Sequence, residues 1–106
     1  MTKGKRPRTA RREAERQRDK LIADREKLFA LEAGGSSSRP RLVASASLVE
    51  PEARSVRCPR CDGELRVEEH VAPTVGGVRL REAKLACKLC GSRRSLWFKI
   101  TSPEPN

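Results

Sequence analysis

With 106 residues, 36% hydrophobic and 36% charged, the chain has material for one small folded unit and extensions. Two Phe, one Trp and no Tyr exclude an ordinary core spread along its length. The formal net charge of +10 favours a polyanionic partner, and no stretch nears the roughly 20 apolar residues of a membrane span.

Residues 1–8 contain Gly4 and Pro7 and are predicted to be disordered. Lys3, Lys5, Arg6, Arg8, Arg11 and Arg12 all precede the first acidic residue, Glu13, so they form a basic arm without counter-charge. Such an arm attracts nucleic acid or another polyanion; the plain alternative is a solubilising tail. No apolar segment follows this basic start, so it is not a secretory signal, and a cytoplasmic location is expected.

A charged helix is predicted over residues 9–33, with Thr9 as N-cap and Gly34-Gly35 as its stop. Ala14, Leu21 and Leu28 recur at seven, with Ile22 and Phe29 beside them, giving a narrow apolar stripe. Glu13–Arg16 and Lys20–Asp24 add opposite charges three and four apart. Residues 34–57 are read as a linker, with 34–41 (GGSSSRPR) flexible and 42–49 (LVASASLV) as one candidate strand ended by Pro51. The helix and whatever follows the linker are expected to tumble independently.

The chemistry is concentrated in Cys58-Pro-Arg-Cys61 and Cys87-Lys-Leu-Cys90, two C-x-x-C pairs 25 residues apart. A C-x-x-C turn puts two sulfurs on one side of a tight loop, each about 2.3 Å from a tetrahedral zinc. Backbone N–H groups behind each first cysteine can stabilise thiolate charge. Asp62-Gly63 and Gly91 supply residues that tolerate positive φ after each pair. In a reducing compartment two such pairs point to metal rather than to disulfides. One structural Zn²⁺ on Cys58, Cys61, Cys87 and Cys90 is therefore expected. Four thiolates and Zn²⁺ sum to −2, which Arg60, Lys88, Arg93 and Arg94 are placed to offset.

Between the pairs, Gly76-Gly77 marks a hairpin turn. Pairing Val75 with Val78 sets Glu69 opposite Lys84 and gathers Leu65, Val67, Val71, Val75, Val78, Leu80 and Ala86 on one face. Leu96, Phe98 and Ile100 alternate as a third strand expected to cover that face, and Pro103 and Pro105 end it. The expected unit is a small three-stranded antiparallel domain over residues 58–101 with a disordered tail at 102–106. A core of this size needs the metal to fold.

CPRCDGEL followed by ACKLCGSRRSLWFKI resembles the zinc-ribbon superfamily, including ribbons of transcription factors and RNA polymerase subunits. It is also similar to small bacterial four-cysteine ribbon proteins with a basic helix ahead of the ribbon. The resemblance covers residues 58–100 and implies the same four cysteine ligands. Transcript-cleavage ribbons carry an acidic pair at the hairpin tip; here the tip is Thr74-Val75-Gly76-Gly77-Val78, so that activity is not expected.

His70 is read as an exposed strand residue, since four cysteines already saturate a zinc. Trp97 lies out of phase with its apolar neighbours, so it either shields the strand or stacks on a base. Arg93 and Arg94, near Trp97, are the folded unit's candidates for a polyanion contact. No phosphate loop, nucleophile–base pair or small-molecule substrate site is read, so no enzyme is expected. The expected function is a nucleic-acid or ribonucleoprotein binding module; the alternative is an adaptor docking on a larger protein assembly through the ribbon or the Leu21/Leu28/Phe29 stripe.

Overall fold

The computed structural model describes residues 7–102; Lys3, Lys5 and Arg6, the first part of the expected arm, and residues 103–106 of the expected tail lie outside them. Helix α1 spans Pro7–Leu31. It begins two residues before Thr9, because proline's fixed φ and missing N–H suit a first helical turn. Its first four turns are exposed, apart from the half-buried Glu13. Lys20 and Asp24 pair on its surface at 3.2 Å.

Residues 34–41 are a bonded turn rather than a flexible linker. Gly34 sits at φ 91°; its N–H donates to Arg39 O (2.6 Å), and its carbonyl accepts from Trp97 N–H (2.8 Å). The side chains of Arg39 and Arg41 reach back to the carbonyls of Leu31 (2.7 Å) and Ala33 (3.0 Å) at the helix end. A Cβ on Gly34 would stand 2.8 Å from the Arg41 side chain and 3.2 Å from Leu96, which fixes glycine there. The expectation of independent halves is therefore corrected: α1 is anchored at its C-terminal end.

The candidate strand at 42–49 divides. Strand β1 is only Arg41–Val43, followed by a 3-10 turn at Ala46–Leu48 and helix α2 at Val49–Ser55. Pro51 does not end a strand; it is the third residue of α2, where the N–H it lacks would have no intrahelical partner. Glu50 and Glu52 in the first turn and Arg54 in the last suit the helix dipole.

Beyond α2 come β2 (Leu65–Val71), β3 (Thr74–Val75), β4 (Val78–Arg79), β5 (Arg81–Cys87) and β6 (Arg93–Ile100). Among the described residues the main sheet is four-stranded and mixed, in the order β1-β6-β5-β2, with β3 and β4 forming a separate two-stranded tip. It is not the three-stranded antiparallel sheet expected: β1 adds a parallel edge to β6, Val43 opposite Ile100.

Val75 pairs with Val78, and Glu69 with Lys84, whose charged ends lie 3.5 Å apart. That register does not run the length of the hairpin. It slips by one between Val67 and Glu69, so Leu65 faces Cys87 and Val67 faces Leu85, while His70 faces Ala83. A one-residue bulge inverts the alternation beyond it. Val71 and Ala86, expected beside Leu65, thus lie on the opposite face.

His70 is turned inward by the same bulge. Its side chain is 16% exposed, Nδ1 lies 3.4 Å from a Glu50 carboxylate oxygen on α2, and Nε2 is buried without a partner among the described residues. The reading of an exposed histidine is corrected.

Strand β6 does not cover the hairpin; it lies beside β5 and extends the same face, with Leu96 opposite Ala83. Val49 and Ala53 of α2 provide the cover. Phe98, Leu65, Leu85, Leu96, Val49 and Cys58 are the largest fully buried side chains, and Phe29 of α1 packs against them. Among the described residues no helix is long and apolar enough to cross a membrane.

Candidate metal centre

Two loops of the same construction bring the cysteines together. In the first, Cys58 N–H donates to Gly63 O (2.9 Å) and Asp62 N–H to Cys58 O (2.8 Å). In the second, Cys87 N–H donates to Ser92 O (2.9 Å) and Gly91 N–H to Cys87 O (3.1 Å). The offsets are identical, and the residue after each second cysteine is left-handed: Asp62 at φ 63° and Gly91 at φ 75°. The backbone N–H groups of Leu89 and Cys90 point at Cys87 Sγ, each at 3.4 Å.

The four sulfurs lie within 4.8 Å of one another and could hold a metal ion. Cys61 and Cys87 approach to 3.4 Å, and Cys58 and Cys90 to 3.7 Å. A tetrahedral ion with ligands at about 2.3 Å sets sulfurs about 3.8 Å apart, so the donor set fits such an ion.

The thiols are unequal. Burial opposes ionisation of Cys58, but the Ser92 hydroxyl and the backbone of Cys61 and Arg60 outweigh it and lower its pKa. The Ser92 hydroxyl, then the Ser92 N–H, bring Cys90 down to about 6. Burial, then the adjacent Cys87 thiol, push Cys61 up to about 12. Ser92 is the residue that sequence reasoning missed: its Oγ lies 3.4 Å from Cys58 Sγ and 3.1 Å from Cys90 Sγ. Its place directly after Gly91 was the available signal.

Gly63 is needed for closeness rather than for φ. A Cβ there would stand 2.9 Å from Cys87 Sγ and 3.1 Å from Cys61 Sγ. Gly63→Ala is expected to cost about 1–3 kcal/mol, read as weaker metal binding in a chelator competition. Gly91→Ala meets open space and pays only for its left-handed φ, about 1–2 kcal/mol.

Of the cations expected to offset the cluster's charge, Lys88 turns to Glu64 (3.3 Å) and Arg93 to Glu68 (3.2 Å). Arg94 reaches in, with Nη2 3.8 Å from Cys58 Sγ. Its side chain is 7% exposed and pairs with Glu26 of α1, so it is not offered outward to a polyanion. Trp97 is half-buried on the opposite sheet face, across from Glu82. Arg8, Arg11 and Arg12 are exposed on α1, away from the cluster. No protein-family model, curated protein or solved structure matches this chain.

Proposed function

We propose that the chain is a non-enzymatic zinc-ribbon protein whose structural Zn²⁺, held by Cys58, Cys61, Cys87 and Cys90, folds a platform that presents a basic helix to nucleic acid or a ribonucleoprotein. Thiolates at tetrahedral spacing suit Zn²⁺ among the common divalent ions. The observation that carries the partner reading is the exposed start of α1. Arg8, Arg12, Arg16 and Lys20 stand four residues apart, and therefore on one side of the helix, over about 18 Å. Arg11 adds to the first turns, while Glu15 and Asp19 weaken the field further along, so the positive potential is greatest toward the N-terminus.

A second reading, an adaptor for a larger protein assembly, is favoured by the exposed Leu21, Leu28 and Leu31 of α1 and by Leu89 at the tip of the second cysteine loop. Salt separates the two. Six phosphate contacts from the arm and the helix give a log–log slope of affinity against salt of roughly −4 to −5 on single-stranded or duplex nucleic acid. Replacing Arg8, Arg12 and Arg16 by Ala should flatten that slope by about 2–3. Binding that ignores salt, or survives the triple replacement unchanged, turns the reading to the adaptor.

A further inference from the structure

Arg94 lies where three parts of the molecule meet. It sits on β6 opposite Leu85, on the inner face of the sheet. Nη1 donates to Glu26 of α1 at 2.5 Å, and the guanidinium lies 5.2 Å from the centroid of the Phe29 ring. Nη2 donates to Ser92 Oγ at 3.1 Å and faces Cys58 Sγ at 3.8 Å. Ser92 in turn touches both Cys58 and Cys90. One buried cation therefore joins the helix to the sulfur cluster.

This matters because α1 is held at two places. The turn at 34–41 ties down its last residues through Arg39 and Arg41. Glu26 and Phe29, about one and a half turns and half a turn before Leu31, meet Arg94. A rod fixed at two points has a direction; fixed at one, it pivots. The Arg94 contact thus sets where the basic start of the helix points.

We infer that docking of α1 and metal binding by the four cysteines are coupled through Arg94, so that the ion fixes the direction of the basic helix. This rests on the reading that those cysteines hold a metal. Four thiolates around a divalent ion carry −2; the nearly buried guanidinium places a positive charge beside them, and its pairing with Glu26 holds it in position there. The ion also fixes the loop geometry that places Cys58 and Ser92 against Nη2. If that geometry relaxes, Arg94 keeps its α1 partners Glu26 and Phe29 but loses Ser92 and Cys58, and its Nε already lacks a partner among the described residues. Thermodynamic reciprocity then requires that loosening the helix weakens the metal.

The test uses the full chain, with zinc affinity measured by competition with a chromophoric chelator. Glu26→Gln touches none of the sulfurs and lies on a half-exposed helix surface, so the variant should fold. It is expected to bind zinc about fivefold more weakly, and Arg94→Gln about tenfold or more. Backbone ¹⁵N relaxation supplies the second readout: in zinc-loaded Glu26→Gln, residues 8–31 should tumble more freely than 65–100, while in the zinc-loaded parent they share one correlation time. A Glu26→Gln affinity equal to the parent's, with unchanged relaxation, overturns the coupling and leaves the metal site standing. A parent chain that binds no zinc overturns both.

Discussion

Replacing Cys87 by Ser should abolish the folded sheet. Chelation of the metal should do the same to the parent chain. Among the described residues one aromatic and four other large apolar side chains are fully buried besides Cys58, a core too small to hold such a unit unaided. A structural zinc contributes apparent binding energy of about 10–16 kcal/mol in small domains, all of it conditional on folding. Three thiolates hold the ion far less well, and Ser at 87 also removes the sulfur toward which the Leu89 and Cys90 N–H groups point. In ¹H–¹⁵N spectra the dispersed amides of residues 65–100 should collapse to the centre in the variant and in chelated parent protein. Dispersed signals in either sample would show a sheet that stands without the cluster.

Phe98→Ala carries the largest effect expected away from the cysteines. Phe98 has no exposed surface and lies on β6 between β1 and β5, opposite Arg41 and Arg81. Truncating such a residue costs about 3–5 kcal/mol. With metal binding and folding linked as proposed, that cost emerges as apparent zinc affinity weakened by about 10²-fold to several thousand-fold, at roughly 1.4 kcal/mol per factor of ten. The metal-loaded variant should still fold, since the loss is smaller than what the ion contributes. Trp97→Ala, on the opposite and half-buried face, should weaken binding much less. An unchanged zinc affinity in Phe98→Ala would separate the core from the metal site and end the linked account.

The parts of the fold legible in the sequence are those fixed by local chemistry. C-x-x-C spacing with a left-handed residue behind it dictates a sulfur-presenting loop, and both loops have that form. The Gly76-Gly77 turn set Val75 against Val78, and charge matched Glu69 to Lys84. What escaped depends on contacts distant in sequence. A bulge at Glu68 has no residue signature, yet it reversed His70, Val71 and Ala86 between faces. The short α2 hid behind Pro51, which reads as a break unless the helix start is known to lie two residues earlier. The parallel pairing of β1 with β6 joins residues more than 50 apart. Arg94 looked like surface charge because its partners, Glu26 and Cys58, come from the helix and the first cysteine loop. Of the apolar stripe of α1, Phe29 is used in the core, which the sequence did not reveal, while Leu21 and Leu28 are exposed as expected.

Cobalt(II) titration of the reduced 106-residue chain decides whether the four cysteines hold a tetrahedral ion on which the sheet depends, because the ion's visible spectrum reports ligand type and geometry while circular dichroism follows the sheet in the same sample. The account predicts intense tetrahedral d–d bands with thiolate charge transfer, saturating at one equivalent and rising in step with β-structure, then displaced by one equivalent of zinc. A weak octahedral spectrum, or a sheet already formed before any cobalt is added, would contradict it.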